Sequence, residues 1–598
     1  MMEVSRALSS TKLPGVTSAP RAYPCAAAGA AKTYAAARSV AQVADRNAIR
    51  FVIDGLICAS YRETVRGQNA LLIALATIVS WSGLAAQGVH RPAARTEVYA
   101  GSELETYLRN LQVAGVVGPY AWSLRRFTEA EVDRLLPADS AHPWVARYDW
   151  NPAPPRKLSL AIARPEVASR LNSGFPYGYN DGAEWAGRGL TLSLEGGVVV
   201  RYGPLAASLR PLAFWASNNR FPLAPNGQSG RLIYANNTYS GSIDHPQRFG
   251  DGPYALVDGG QSTLEVAKWG VVAGLSTAND YWGPAADFPV LLGNNAAGIP
   301  RVFVGTDGPI NLWLFRVQIR AVVGRLTQSA YSPKTGVAQL REASGAVLVL
   351  TPRWPPGLEL GAARFTHRPW PGWSRALHDF SSPFGFNTTH NDSLENGLAS
   401  AFFRWLVRPA SVEIYGEYGT DDYRYNLREL VVEPDHIAGY TIGLRHVARR
   451  PGQTLRVVRI EVQNLEPGTL VQSRTQAPFY VHSPLTQGHT YRGQILGSEW
   501  GFGGAAAKVA LDWYSPRGRW TVAWSRLLRG TTNDSVVATM PQNPRGLDVL
   551  HTLGGERLFF RGRYDILVGV TAMYEFNRDF RRDAFNLNAS VSVRADLR

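Results

Sequence analysis

Only two cysteines, Cys25 and Cys58, occur in 598 residues, and both precede residue 87. The rest of the chain therefore has no thiol, no structural disulfide and no cysteine-based metal site. Charge is also sparse, at 18% of residues against 45% apolar. Acidic side chains are in deficit, 47 against 62 basic, for a net +15, and +10 remains on the chain beyond residue 86. The arginines are dispersed at alternate positions of strand-like segments, with no zinc-finger, helix-turn-helix or RNP-like run, which argues against nucleic acid as a partner. Spread positive charge suits an anionic polymer or the phosphate-rich head groups of an outer leaflet at least as well. Long apolar runs are missing after residue 86, so a membrane protein of this sequence has to cross with closed β-strands. Catalytic signatures are missing too: no HExxH helix, no GxSxG elbow, no GxxxxGK[ST] loop, and the eleven histidines have no regular spacing. No catalytic residue, metal or cofactor is expected.

What is present begins with an export signal. In VRGQNALLIALATIVSWSGLAAQ (65–87), Arg66 gives the basic flank, Ala70 to Val79 the apolar centre, and Leu84-Ala85-Ala86 a small-residue exit, with cleavage near Ala86. The apolar centre is too short and too mixed for a membrane anchor. Residues 1–64 are Ala-rich and lack sustained periodicity. They read as a low-complexity leader, either a start assigned too far upstream or a disordered segment.

Two helices follow. SELETYLRNLQVAG places Leu104, Tyr107, Leu108 and Leu111 on one face, with Gly115 as a stop. Thr128-Glu129-Ala130-Glu131 is a capping box ahead of Val132, Leu135 and Leu136, and Pro137 ends that segment. These predict a small helical bundle over 97–160, too small to stand alone and expected to pack on a larger domain.

From about residue 185 the apolar period becomes two. Leu190, Leu192 and Leu194 oppose Thr191, Ser193 and Glu195; Trp313, Phe315, Val317 and Ile319 oppose Arg316, Gln318 and Arg320. In the last strand Phe585, Leu587, Ala589, Val591, Val593 and Ala595 alternate with Asn586, Asn588, Ser590, Ser592, Arg594 and Asp596. Soluble sandwiches alternate as well. The heavy apolar face, strands of roughly 9–13 residues, long polar loops and the export signal favour a membrane barrel instead. The expected fold is mainly β: a large antiparallel transmembrane β-barrel of about 18 strands over 185–598, with a small N-terminal α-helical bundle.

Four polar-aromatic stretches are candidates for function. SVEIYGEYGTDD (411–422) puts Glu413, Tyr415 and Glu417 on one face, with Asp421 beyond, as a lumen network. Glu413 and Glu417, four strand residues apart, are separated by about 13 Å. That is too far for a glycosidase pair, which needs at most about 9.5 Å. YWGPAADFPVLLGNNAAGIP (281–300) holds Trp282, Asn294 and Asn295. FYVHSPLTQGHTYRGQILGSEWGFG (479–503) holds Tyr480, His482, His489, Tyr491, Arg492 and Gln494. These groups suit sugar recognition and equally suit a hydrogen-bonded framework. FSSPFGFNTTHNDS (380–393) reads as a long loop.

From about Glu97 to the C-terminus the chain resembles the capsule assembly (Wzi) family of Gram-negative outer-membrane proteins. The resemblance rests on WSLRRFTEAEVDRLL (122–136), YWGP…LLGNNA (281–296), EIYGEYGTDD (413–422) and YVHSPLTQGHTYRGQILG (480–497). It departs at Ala285, where the pattern expects Gly, and at the Leu597-Arg598 terminus, which has no aromatic. The resemblance implies an eighteen-stranded barrel in the cell outer membrane with helices 102–136 in the periplasm. It also implies a non-enzymatic lectin whose partners are capsular or surface polysaccharide, outer-membrane lipids and, during biogenesis, the barrel assembly machinery. A porin or solute transporter is the alternative.

Overall fold

The computed structural model describes residues 92–597 except 152–157, 238–242, 333–338, 379–393, 422–426, 469–476, 483–484 and 532–546. The leader, the export signal, both cysteines and the 380–393 loop lie outside the described residues. The period-two segments become antiparallel strands, each hydrogen-bonded to its neighbour in sequence, from Leu158–Asn172 round to Arg582–Ala595. Three staves are broken in two by bulges or bends: Leu205–Leu209 with Leu212–Ala216, Tyr254–Asp258 with Thr263–Lys268, and Arg301–Thr306 with Ile310–Asn311. Counted as single staves, the barrel has eighteen. It closes where Leu158–Asn172 pairs with Arg582–Ala595, from Glu166 opposite Arg594 to Asn172 opposite Asn588.

The first stave starts earlier than the expected boundary at 185. Pro165 and the register shift between Ala163 and Glu166 interrupt its alternation, which hid it from a period-two reading. One end of the barrel carries tight turns, such as the one at Gly203 (φ +56°), where only a residue without Cβ is at ease. The first stave begins and the last ends there. The opposite end carries the long connections, including 217–253, 277–300 and 465–504.

Side chains follow the alternation inside out. Leu587 and Val591 of the last stave are 41% and 44% exposed on the outer surface, whereas Asn586 and Asn588 are buried inside. Outward Leu160, Val167, Ile442, Val462, Val522, Leu553 and Val570 extend the belt round the barrel. Trp269, Trp313 and Trp354 protrude from three tight turns at one rim, where an indole meets both acyl chains and head groups. Among the described residues no helix is long and apolar enough to cross a membrane. A closed barrel needs none, since every stave satisfies its backbone on its neighbours.

The N-terminal segment has three short helices: a 3-10 turn Ala94–Glu97, α1 (Glu103–Val113) and α2 (Glu129–Leu135). Ser102 caps α1, and the Thr128–Glu131 capping box is formed as the sequence predicts. These helices do not make a separate bundle. α1 buries Arg109, Asn110 and Gln112 as well as its leucines, because it lies in the tight-turn mouth of the barrel. Tyr107 stacks on Trp144 at 4.0 Å, and both rings pack near Tyr514 of the stave Ala505–Ser515. Inward-facing Leu406, Val447, Leu455, Val457 and Leu558 complete this apolar layer. The segment is a plug.

An arginine forced onto the lipid face tests the arrangement. Val591→Arg is expected to cost about 2–4 kcal/mol when the barrel is unfolded from liposomes in urea, and the cost shrinks for outward positions nearer the rims. A Val591→Arg protein as stable as wild type would mean that this face does not meet acyl chains.

Candidate functional site

Lumen chemistry begins with the ions that hold the plug. Arg109 of α1 donates from Nε to both oxygens of Glu413 at 3.1 Å. Arg404 and Arg445 also converge on Glu413. Arg404 reaches Glu359, whose other oxygen accepts the Trp122 and Ser123 amides at 2.9 and 3.1 Å. Arg445 donates to Asn110 Oδ1 at 2.6 Å. One carboxylate thus meets three guanidinium groups, all buried, and couples α1 to the barrel wall. At the closing seam Glu97 sits between Arg164 of the first stave and Arg594 of the last. Burial opposes its ionisation, but Arg164, Arg594 and Arg210 hold the carboxyl down to about 2.

Two long connections fold inward rather than away from the barrel. Arg109 Nη2 donates to Pro284 O at 2.7 Å, and Arg125 lies 3.5 Å over the Tyr281 ring. Glu461 accepts the Ala286, Asp287 and Phe288 amides. Trp282 is fully buried against Phe365, and its indole fills the space over Gly345, where a Cβ would sit 2.7 Å from the ring. The second connection lies on the first: Tyr480 OH donates to Val290 O at 2.5 Å, and His489 Nε2 meets Leu291 O at 2.7 Å. Burial pushes the His489 imidazole down to about 4, so it is neutral there. Arg341 clamps the Gly488 and Thr490 carbonyls at 2.6 Å.

These contacts place every residue singled out in the sequence. Glu413, Tyr415, Glu417 and Asp421 all point into the lumen and are buried, while Ile414 faces outward. Asp421 accepts the Tyr480 amide, and Tyr415 OH donates to Glu461. Trp282, Tyr480, His482, His489 and Tyr491 are buried, the last in a two-residue ladder with Gln494. Asn294 donates to Ala100 O at 2.7 Å, which ties the loop to the plug, and Arg492 pairs with Asp258 at 2.7 Å. Each of these described side chains makes contacts within the protein. Of the residues singled out, Asn295 and Gln494 also reach a surface recess, together with Gly493, Glu499 and Trp500 of the same stretches.

That recess, at the long-connection end, is lined by Tyr177, Tyr179, Asp181, Glu184, Trp185, His245, Asn295, Gln494, Glu499, Trp500 and Arg529. His245 Nε2 lies 3.2 Å from Glu499, and both are about a quarter exposed. Asn295 Nδ2 donates to Glu499 at 2.9 Å, and Gln494 Nε2 donates to the Gly182 and Glu184 carbonyls at 3.3 Å. Burial raises the Glu184 carboxyl above its ordinary range; Arg170 opposes the rise and Asp181 adds to it. Tyr177 and Tyr179 meet edge to face at 6.0 Å, and Tyr179 meets Trp500 the same way at 6.1 Å. Rings, carboxylates and amides side by side can stack on a pyranose and accept or donate to its hydroxyls. Sequence reasoning missed most of this set. Its signal is the run PYGYNDGAEW (176–185), which falls between the expected bundle and the expected barrel. Among the described residues no cluster of His, Cys, Asp and Glu can hold a metal ion.

The sequence model of the capsule assembly protein Wzi family matches residues 224–578, more than half of the chain. The chain belongs to the capsule assembly protein Wzi family. No curated protein sequence matches it. Among solved structures it is similar to Wzi of Escherichia coli, described as an outer-membrane protein involved in group 1 capsule assembly and a carbohydrate-binding β-barrel. That pair has a TM-score of 0.55 and 15% identity, covering 83% of this chain and 98% of the other. At that identity the likeness speaks for the fold. OccAB1 of Acinetobacter baumannii overlaps 72% of this chain and 96% of its own, with a TM-score of 0.35 and 7% identity. Within this Wzi-family chain, both the 281–300 and the 479–503 stretches fall inside the matched span.

Two measurements test the plug. Glu413→Ala strips three buried cations of a shared counter-ion and is expected to cost about 3–5 kcal/mol, read as protease sensitivity of the segment before residue 158. Acid is expected to loosen the same segment through His142, whose Nδ1 is 2.8 Å from Tyr107 OH and whose pKa burial lowers from 6.5 to about 4. A depressed folded value means stability present above about 6.5 and lost as pH falls toward 4. Glu97, held near 2, stays ionised across that window. His142→Gln should flatten the pH dependence of cleavage, and an unchanged profile would assign it to another group.

Proposed function

We propose that this chain is a non-enzymatic outer-membrane lectin that binds capsular or surface polysaccharide and assists its attachment and assembly at the cell surface. The observation that carries the reading is a closed, lipid-facing barrel whose lumen is plugged at one end. Its accessible recess at the other end combines Tyr177, Tyr179 and Trp185, backed by the buried Trp500, with carboxylates and amides. The family assignment and the carbohydrate-binding description of the similar Escherichia coli barrel support it. In barrels of this class the short turns lie in the periplasm and the long connections outside. On that rule the N-terminal helices occupy the periplasmic mouth and the recess faces the medium, with outer-membrane lipids around the belt and the barrel assembly machinery as the biogenesis partner.

A steadily open porin fits less well, since α1 and two connections occupy the interior. A hydrolase needs an acid and a nucleophile in reach, and the recess carboxylates are engaged by Arg170, His245 and Asn295.

Deletion of the gene is expected to lower cell-bound polysaccharide and raise the shed fraction without shortening its chains. Trp185→Ala, at a half-buried ring of the recess, is expected to reproduce part of that loss. If bound and shed amounts both stay at wild-type levels, the lectin reading falls. Stepwise conductance of the purified full chain in planar bilayers would favour the porin instead.

A further inference from the structure

The recess continues inward. Beneath Tyr177, Tyr179 and Asp181 a cavity of about 260 Å³ lies against the barrel wall, and these three residues line both spaces. Much of its wall is built from inward positions of the last four staves, and apart from Asn588 and Glu556 those that line it are small or hydroxylated. Thr521, Ala523 and Ser525 come from Gly518–Thr531, and Thr552 and Gly554 from Leu547–Arg561. Gly569 and Thr571 come from Tyr564–Arg578, and Asn588 and Ser590 from Arg582–Ala595. At the opposite wall the inward positions are Phe303, Val322, Val347, Phe365 and Phe402, packed against the inturned connections. At this level the opposite wall is a packed apolar core, whereas here the wall is shallow and carries hydroxyls; nearer the recess the same staves are filled again by Leu527, Leu550 and Met573.

The charges at this cavity are already spoken for. Lys508 Nζ donates to Asp287, and its Nζ lies 3.3 Å from Tyr179 OH. Arg459 holds Asp512 at 2.8 Å, and Arg170 holds Asp181. Burial would raise the Asp287 carboxyl, but Lys508 and Arg459 hold it below its ordinary range. Recess and cavity together are lined by five carboxylates (Asp181, Glu184, Asp287, Glu499 and Glu556) against Arg170, Arg459, Lys508 and Arg529. The basic excess of the chain does not lie here. The cavity itself balances Asp181, Asp287 and Glu556 against Arg170, Arg459 and Lys508, and Glu556 is also paired with Arg519 at 3.2 Å, so a guest with a negative charge would add an anion with no free cation to meet it, and burying an unpaired charge is costly. A neutral guest rich in hydroxyls exchanges its water contacts for Thr, Ser and Asn partners with no such penalty.

We propose that this luminal cavity is an end-on binding site for one or two neutral sugar residues, reached through the Tyr177–Tyr179 gateway, so that the glycan is held by a terminus threaded into the barrel and not by the outer loops alone. The inference rests on the polysaccharide reading above and sharpens it to an uncharged terminal saccharide.

The test is calorimetric titration of the full chain in detergent with neutral hexose disaccharides, with the matching hexuronate disaccharides, and with the whole surface polysaccharide of the source cells. Neutral disaccharides are expected to bind, and the uronates at least roughly tenfold more weakly, a difference of about 1.4 kcal/mol. Filling the cavity with Ser590→Leu, or separately with Thr571→Leu, is expected to weaken the neutral disaccharides by roughly tenfold or more. Heat-dependent gel migration reports whether each variant still forms the barrel, and two variants on different staves guard against one that does not. Uronates that bind as well as neutral sugars, or folded Leu variants that bind like wild type, overturn the cavity site while whole-polysaccharide binding leaves the lectin reading standing. If the whole polysaccharide does not bind the wild type at all, both fall.

Discussion

A backbone amide inside a bilayer has no water to turn to, so each must be paired within the protein. For a β-chain that requirement is met only when the last stave bonds to the first. Closure here rests on seven paired positions between Leu158–Asn172 and Arg582–Ala595. The seam is reinforced from within, because Arg594 bridges Glu166 on the neighbouring stave and Glu97 of the N-terminal segment. The segment that precedes the barrel thus helps to hold the barrel shut, and the plug and the wall are one structural unit.

Closure creates a second problem. Turning apolar side chains outward leaves the polar ones facing a lumen too wide for them to fill alone. This chain solves it in layers. Near the tight turns α1 and the Tyr107–Trp144 stack fill the mouth, and ionised groups are buried only where they are shared, as Glu413 is among three arginines. Higher up, two connections turn inward and bring their own apolar residues, which meet Phe303, Phe365 and Phe402. Each inturned backbone is then satisfied by the wall: Glu461 takes three consecutive amides, and Arg341 takes two carbonyls. The result is an interior with the logic of a soluble core, wrapped in a sheet with the logic of a membrane protein.

Much of this was legible in the sequence because alternation is a local signal. Leu587, Asn588 and Val591 declare their faces two residues at a time, and the Thr128–Glu131 box marks its helix within four residues. The first stave escaped because Pro165 and a bulge break the alternation at its centre. The direction of the long connections escaped for a deeper reason. A loop that stacks aromatics and pairs amides against a barrel wall needs the same residue types as one that grips a sugar. Trp282, Tyr480, His489 and Asn294 were therefore recognisable as important but not as buried. The recess residues Tyr177, Tyr179 and Asp181 were overlooked because nothing in their own stretch shows that they will meet Glu499 and Trp500 from 300 positions further along.

The asymmetry of the interior follows from residue size more than polarity. Thr, Ser, Gly and Ala at the inward positions of the last four staves are polar enough for a lumen, but an arginine or glutamine there would be equally polar and would have filled the space, as Arg404 and Arg445 do elsewhere. Gly554 and Gly569 each sit opposite a hydroxyl side chain that leans across them, Thr571 and Ser590, so a Cβ at either would meet an oxygen at under 3 Å. The wall is thus packed tightly along its surface while staying shallow in depth. Neither closure nor stability demands that combination, since a bulky inward side chain would bury more area at the same site. Shallow relief at nine neighbouring positions costs the barrel packing that its opposite wall retains. It is a geometry that stability alone does not explain, and room for a guest does.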